Sequence, residues 1–265
     1  MRCLVVGAGA WGLPAAAELA VRGHDVTLID RFGPANRWSS SPGPTRIWRI
    51  AHPDEVRARL AVLAAEAMAR LARDTDTTVF LRRGLLWRDD ETVDDVARAV
   101  RAAGEQVDEV EPDEVGRFLP GLRPDGRRAV FQPAAGPVLA AASMQAQLSR
   151  FEAAGGQRLD GVAVSSVKAA PDGPTVELSD GSLSADVVVL APGPGAAPLL
   201  SGLGLDLPLR PRLEQAAHVA HVRGTRTSDA MPCWFDGPVG DHPALYAMTT
   251  PGVGYKLGLD RPVRA

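Results

Sequence analysis

The chain has 265 residues and a formal net charge of −3, with 23% charged and 45% hydrophobic residues. This composition is typical of a globular protein with one or two domains, and it lacks the basic surface that nucleic-acid binding requires. No apolar run approaches the ~20 residues that a membrane-spanning helix needs. The first apolar run also meets Gly7 too early for a signal peptide. We therefore expect a cytoplasmic protein that binds neither nucleic acid nor membrane.

The N-terminal residues carry the most specific pattern. An apolar run leads into residues 7–12 (GAGAWG), then into a helical segment and a second apolar run that ends at Asp30. Gly7 permits a tight turn, Gly9 lets a pyrophosphate approach the backbone, and Gly12 lets helix and strand pack closely. Asp30 follows Gly12 by 18 residues (30 − 12), close to the spacing of a carboxylate that binds a ribose hydroxyl. The pattern predicts an adenine dinucleotide at the helix N-terminus.

Further segments show helical or extended patterns. A loop rich in glycine, proline and serine (residues 32–45) is long enough to suggest a functional role. Amphipathic helices are predicted at residues 54–74, 91–104, 111–119 and 139–154. Strands are predicted at residues 78–88 with a turn at Gly84, at 158–168, at 174–179 before a hairpin turn at Asp180-Gly181, and at 187–190. The last strand is entirely apolar, which is typical of a parallel strand buried on both faces.

These elements predict an α/β fold whose two domains are discontinuous in sequence. Residues 1–50 and 139–204 are suited to a dinucleotide-binding domain. Residues 51–138 and 205–265 are suited to a second domain, mainly an antiparallel sheet with helices.

The cysteines and histidines lack the spacing of metal ligands. Cys3 is expected in a buried strand and Cys233 in a loop, both as free thiols of a reducing compartment. His218 and His221 are three residues apart in a strand-like run, which places them on opposite faces. We predict no metal site.

Several segments, in order along the chain, resemble the monomeric sarcosine oxidase and N-methyltryptophan oxidase family of D-amino-acid-oxidase-like flavoproteins. They are residues 27–34 (TLIDRFGP), 39–41 (SSS), 45–52 (TRIWRIAH), 131–136 (FQPAAG), 185–193 and 255–258 (YKLG). The resemblance implies a Rossmann-type FAD-binding domain with an α+β substrate domain. It also implies oxidation of the C–N bond of a small amino or imino acid, with hydride passing to the flavin and electrons then to oxygen.

The resemblance also implies roles for individual residues. The implied cofactor-binding residues are Gly7, Gly9, Gly12, Asp30, Arg31, Ser39, Ser40, Arg46, Val164 and Gly193. The implied catalytic residues are Lys256, Arg49, Arg46 and Tyr246. Arg49 matches an arginine that binds the substrate carboxylate, Arg46 a second arginine near the flavin, and Lys256 the lysine that promotes reaction with oxygen. Tyr246 matches a tyrosine of the substrate pocket, and Val164 the place of a strand backbone against adenine.

The chain departs from the family pattern at several positions. Pro42 or one of its neighbours stands in place of one family histidine, and Asp260 replaces a second. His52 replaces a tyrosine, and Phe235 stands where the family has a thioether in the substrate pocket. Together these changes indicate a different substrate. Asp260 would also oppose reduction to an anionic flavin.

Neither cysteine matches the one that links flavin in covalent members, so we expect non-covalent FAD. Family members continue past the YKLG segment, so part of the flavin wall is expected to be missing from this chain. An unpaired sheet edge would then favour a homo-oligomer or a partner chain that completes the fold.

Two other functions remain open from the sequence. A family member of this length could keep the fold, lose the flavin and serve as a binding or non-oxidative component. The glycine pattern is also compatible with an NAD(P)-dependent dehydrogenase.

Overall fold

The computed structural model describes residues 1–220 and 227–261 and contains two compact units. Unit 1 comprises Met1–Gly43, Leu71–Thr77 and Ala140–Pro211. Unit 2 comprises Pro44–Arg70, Thr78–Leu139 and Arg212–Ala265.

The described residues form the following regular elements. The helices are α1 (Gly12–Val21), α2 (Glu55–Asp74), α3 (Val93–Ala102), α4 (Val115–Phe118), α5 (Ala140–Ala153) and α6 (Ala196–Ser201), with short 3₁₀ turns at Pro112–Glu114, Gly193–Gly195 and Thr227–Ala230. The strands are β1 (Arg2–Val6), β2 (Asp25–Asp30), β3 (Thr45–Trp48), β4 (Leu85–Arg88), β5 (Asp108–Val110), β6 (Ala129–Gln132), β7 (Gly136–Leu139), β8 (Gln157–Asp160), β9 (Ser166–Lys168), β10 (Thr175–Leu178), β11 (Gly181–Ser184), β12 (Val187–Leu190), β13 (Ala216–Val219), β14 (Cys233–Asp236), β15 (Leu245–Thr250) and β16 (Gly254–Leu259). None of the helices in these described ranges is long and apolar enough to cross a membrane.

Unit 1 is built on a four-stranded parallel sheet in the order β12-β1-β2-β8. Side chains of β1 alternate between two cores: Cys3 and Val5 pack with α1 and α5, whereas Leu4 and Val6 pack with α6 and the antiparallel sheet β11-β10-β9. Because both faces of β1 are covered, all four side chains are apolar, which explains the uninterrupted apolar run before Gly7.

Unit 2 contains a seven-stranded sheet in the order β13-β16-β15-β14-β4-β6-β5. Only the pairing of β14 with β4 is parallel among these described strands. One face packs against α2 and α3, and the other packs against α4. A separate antiparallel pair, β3 with β7, sets Arg46 opposite Val138.

The α/β fold class predicted from the sequence is confirmed, with a Rossmann-type parallel sheet in unit 1 and a mainly antiparallel sheet with helices in unit 2. The predicted helices at 54–74, 91–104 and 139–154 are also present, as α2, α3 and α5. The helix predicted at 111–119 is reduced to a 3₁₀ turn and the single turn α4.

Other predictions of local structure were wrong. Residues 78–88 hold one strand, because the backbone N–H groups of Arg83 and Gly84 bond to the Ala135 carbonyl outside any regular ladder. Residues 158–168 divide into β8 and β9, and Cys233 is buried at the start of strand β14 instead of lying in a loop. The apolar strand β12 lies at a sheet edge, so Val187 is 38% exposed and not buried on both faces.

Candidate functional site

In unit 1, the turn between β1 and α1 depends on three glycines. Gly7 has a φ of +103°, which L side chains rarely adopt, and a Cβ there would collide with the Ala191 carbonyl oxygen. A Cβ on Gly12 would collide with the Gly7 carbonyl oxygen. A Cβ on Gly9 would meet only the Ser41 hydroxyl, at 3.4 Å. Gly7 and Gly12 therefore serve the fold, whereas Gly9 keeps the backbone accessible from outside.

The N-terminus of α1 offers hydrogen-bond donors beside Gly9. Trp11 occupies the N-cap position, but its side chain forms no hydrogen bond with the helix N-terminus. The Ala10 N–H, one residue earlier, donates to Ser41 Oγ at 3.0 Å. Such N–H groups, together with the helix dipole, favour a phosphate. The predicted contacts were the neighbours of Ser41 and not Ser41 itself: Ser39 Oγ accepts from the Ser41 N–H at 3.2 Å, and Ser40 is exposed. The run of three serines gave no signal as to which one would contact the turn.

Asp30, at the end of β2, holds the glycine turn in place. Oδ2 accepts from the Ala8 N–H at 2.7 Å, and Oδ1 accepts from the N–H groups of Phe32 (2.7 Å) and Gly33 (2.8 Å). A carboxylate has about four acceptor positions, so about one remains for a ribose hydroxyl. Arg31 is exposed and lies 5.2 Å from the centre of the Phe32 ring.

Two further residues implied in cofactor binding also lie in unit 1. Gly193 follows β12, is exposed and has a φ of +57°. Val164 was expected on a strand, and this was wrong: it lies between β8 and β9, partly buried against the core that includes Leu4. Residues 158–168 do not form one extended segment, because β8 ends at Asp160 and β9 begins only at Ser166.

In unit 2, Lys256 and Arg46 share one acceptor. Lys256 Nζ and Arg46 Nη1 both donate to the Thr45 carbonyl oxygen, each at 3.1 Å. Lys256 is 5% exposed. Its burial, with the positive charge of Arg46 nearby, lowers the pKa of Lys256 to about 8. The Thr45 hydroxyl lies 2.8 Å from that of Thr250, and both residues are buried, so this contact fixes the shared carbonyl.

The Arg49 guanidinium is held by a backbone carbonyl and two aromatic rings. Nε donates to the Ala51 carbonyl oxygen at 2.9 Å. Cζ lies 4.7 Å from the ring centre of Trp87 and 5.8 Å from that of Phe235, and those rings stack at 3.9 Å. Among the described residues, no carboxylate lies within ion-pair distance of Arg49, and burial lowers the pKa of Arg49 to about 10. The group remains a cation at neutral pH, in surroundings that favour an incoming anion.

A row of paired residues crosses four strands of the same sheet. Trp87 pairs with Phe235, Phe235 with Tyr246, and Tyr246 with Gly258, so their side-chain positions share one face. A Cβ on Gly258 would collide with the Tyr246 ring, so glycine lets that ring lie across β16. Burial and the negative charges of Glu214 and Asp260 raise the pKa of Tyr246. Lys256, two residues before Gly258, lies on this same face.

His52 is partly buried near Arg49. Burial and the positive charges of Arg49 and Arg57 lower the pKa of His52 to about 4. The imidazole is therefore neutral at physiological pH and adds no charge beside the guanidinium.

Unit 1 thus contains the glycine turn with Asp30, and unit 2 contains Arg46, Arg49, Tyr246 and Lys256. In residues 1–220 and 227–261, no group of three or more His, Cys, Asp or Glu side chains could hold a metal ion. His221, considered with His218 as a metal ligand, lies outside the described residues. The accessible Gly9 backbone, the uncapped helix and the spare acceptor of Asp30 fit the pyrophosphate and ribose of a dinucleotide.

Known proteins share both the sequence and the fold. The chain is 32% identical over 214 residues to monomeric sarcosine oxidase of Bacillus sp. (strain B-0618) and 30% identical over 233 residues to glycine oxidase of Pseudomonas aeruginosa. These alignments cover 78% and 79% of this chain but 55% and 60% of the two relatives, so the chain spans little more than half the length of either. L-proline dehydrogenase from P. horikoshii has the same fold, with a TM-score of 0.83 and 22% identity over 98% of this chain and 70% of that chain.

The resemblance to monomeric sarcosine oxidases is therefore confirmed, and the sequence matches one oxidoreductase family model over residues 2–262. The chain belongs to the FAD dependent oxidoreductase family.

Proposed function

We propose that the protein oxidises the C–N bond of a small amino or imino acid, with FAD as hydride acceptor and oxygen as final electron acceptor. When bound, FAD supplies a two-electron acceptor: the substrate loses a hydride from carbon and a proton from nitrogen to become an imine, and oxygen then takes up two electrons and two protons to give hydrogen peroxide. The observation that carries the proposal is Arg49, a cation beside two stacked aromatic rings with no carboxylate partner in the described chain.

Arg49 would bind the substrate carboxylate. Its Nε is already bonded to Ala51, which fixes the plane of the guanidinium and leaves Nη1 and Nη2 for the ligand. Two parallel N–H donors match the two oxygens of a carboxylate, a geometry that a lysine ammonium lacks. The stacked rings of Trp87 and Phe235 would exclude water from one face of this pair and so strengthen it.

Lys256 would stabilise the negative charge that develops on oxygen as it is reduced. The ammonium is buried and is positioned through the Thr45 carbonyl. With a pKa of about 8, Lys256 is mostly protonated at pH 7. A fixed cation in a site with little water stabilises such charge more than water does. Arg46, on the same carbonyl, would add to this field, and Tyr246 would line the substrate side.

Unit 1 would bind the dinucleotide through Gly7, Gly9, Gly12 and Asp30, with Arg31, Ser39, Ser40, Val164 and Gly193 as further contacts. We add Ser41 to this set, because its hydroxyl already bonds to the Ala10 N–H. We propose non-covalent attachment, since Cys3 is fully buried in β1 and burial raises the pKa of Cys233 to about 12. Burial therefore shields both side chains from reaction with the flavin.

A spectrum of the purified protein, alone and after titration with FAD, tests the cofactor. We expect flavin absorbance that acid precipitation releases into the supernatant. Flavin that stays in the acid pellet would contradict non-covalent binding. A colourless protein that does not take up FAD would overturn the proposal in favour of a non-redox role.

Oxygen consumption with paired substrates tests the chemistry. The pairs are amino or imino acids and the amines left when their carboxylate is removed. We expect turnover only of the carboxylates, and Arg49→Lys should raise KM for them by tenfold or more, as loss of one arm of a bidentate contact implies. Turnover of both members of each pair, or an unchanged KM in Arg49→Lys, would contradict the role of Arg49.

A further inference from the structure

A buried side-chain amide forms hydrogen bonds with the backbone that holds Arg49. Gln132 ends β6 and has no solvent exposure. Its Oε1 accepts from the N–H groups of Ile50 and Ala51, each at 3.0 Å. The Ala51 carbonyl in turn accepts from Arg49 Nε at 2.9 Å. A continuous chain of hydrogen bonds therefore runs from Gln132 through one peptide segment to the guanidinium.

This segment has no support from regular secondary structure. Residues 49–51 lie after β3 ends at Trp48 and before α2 begins at Glu55. In the described structure the N–H groups of Ile50 and Ala51 bond to Gln132 alone, although both residues are buried. One side-chain oxygen thus replaces the ladder or helix that would otherwise orient these peptide planes. Its removal would leave two buried donors without an acceptor and free the Ala51 carbonyl to turn.

Stability alone does not explain a glutamine at this position. Gln132 Nε2 is buried and has no hydrogen-bond partner in the described part of the protein. A buried donor without a partner destabilises the folded protein. Gln132 thus combines an Oε1 that accepts two hydrogen bonds with an Nε2 whose burial is unfavourable. Such local cost is typical of residues that serve a site.

We propose that Gln132 is a positioning residue that aims the Arg49 guanidinium at the substrate carboxylate. The inference rests on the proposed carboxylate-binding role of Arg49. Gln132 does not touch the substrate: it holds the two peptide N–H groups of Ile50 and Ala51, this fixes the backbone from which the Ala51 carbonyl extends, and that carbonyl sets the direction of Nε so that the remaining guanidinium donors face the ligand together. A contribution to binding, more than to the hydride step, follows from this arrangement.

The test compares Gln132→Met, which keeps the length of the side chain but removes the acceptor, with Val130→Ala as a matched control. Val130 lies on the same strand and is buried, and its truncation opens a cavity without touching the hydrogen-bond chain. The FAD-loaded protein is titrated with acetate, and with acetamide as the uncharged analogue. We expect Gln132→Met to weaken acetate binding and raise KM roughly tenfold, with kcat and acetamide binding little changed. Val130→Ala should lower the melting temperature without this selective loss.

A double-mutant cycle with Arg49→Lys shows whether Gln132 acts through Arg49. In the Arg49→Lys background, Gln132→Met should have no further effect on acetate affinity. An additive effect, or unchanged acetate binding in Gln132→Met alone, would overturn the positioning role and leave the role of Arg49 intact. Unchanged acetate binding in Arg49→Lys would overturn the proposed function and this inference together. If Gln132→Met does not fold, Gln132→Asn withdraws the acceptor by one methylene while staying polar, and full acetate affinity in that variant refutes the inference.

Discussion

Replacing Arg49 with methionine should cost the protein little stability, although the residue is partly buried and well contacted. Burial lowers the pKa of Arg49 from its usual value to about 10, and since each pKa unit corresponds to about 1.4 kcal/mol, the charged form carries a penalty of about 3–4 kcal/mol. Against this stand one hydrogen bond of a charged group, about 1.5–3 kcal/mol, and contacts with aromatic faces, about 0.5–2 kcal/mol. These terms nearly cancel, so we expect the free energy of unfolding to change by no more than about 1.5 kcal/mol.

Arg88 provides the matched control. It also lies in unit 2 and is 3% exposed, but it makes a bidentate pair with Asp236 (2.8 and 2.9 Å) and contacts Asp125 at 3.1 Å. Arg88→Met should leave Asp236 without its main partner and cost about 3–5 kcal/mol. Urea unfolding of the two variants at one pH measures the difference. If Arg49→Met destabilises the protein as much as Arg88→Met does, the view of Arg49 as a cation awaiting an anion is refuted.

Three further changes test other contacts. Lys256 has a pKa of about 8 in the folded protein and about 10.4 in the unfolded chain, so its ammonium opposes folding below pH 8. The free energy of unfolding should therefore rise between pH 8 and about 10.4. In urea unfolding at a series of pH values, Lys256→Met should abolish this rise. In the unsubstituted protein, the rate of reaction with oxygen should fall as pH rises through about 8, because Lys256 loses its charge. A rate without pH dependence would contradict the cationic role of Lys256. Gly258→Ala should cost about 1–3 kcal/mol and displace the Tyr246 ring, seen as a raised KM. Gly9→Val should fold, judged by circular dichroism, but lose FAD in an equilibrium titration; retained FAD affinity would show that phosphates do not approach this backbone.

The sequence predicted those parts of the fold that are decided within a few residues. The glycines of residues 7–12 and Asp30 lie within one strand–helix–strand unit, where each spacing has a steric meaning. Gly7 needs its left-handed backbone, and Gly12 needs close packing, whatever the rest of the chain does. The long amphipathic helices were likewise found from their period alone. Local patterns of this kind survive in any tertiary context.

Contacts between distant segments could not be predicted in this way. The row Trp87–Phe235–Tyr246–Gly258 depends on the register of four strands, one of which, β4, is far in sequence from the other three, and a slip of one residue would turn a side chain to the other face. Gln132 lies within a segment that resembles the family, but nothing in the neighbouring residues reveals that its side chain meets residues 50 and 51. Cys233 was expected in a loop, but it begins β14 directly after Pro232, where a proline before the first residue of a strand interrupts no pairing.

The two units hold their predicted residues by different physical means, and this difference bears on function. In unit 1 the glycines allow the backbone to form the turn without steric collision, and no side-chain cap occupies the N-terminus of α1. In unit 2 Arg49 and Lys256 are cations whose pKa values burial lowers, and no carboxylate in the described chain lies within ion-pair distance of either. The proposed function gives such costly charges a role, because its ligands arrive with negative charge or develop it during reaction. Family membership therefore indicates the cofactor, whereas these two cations support the proposal of a carboxylate substrate and of an acceptor that becomes negatively charged.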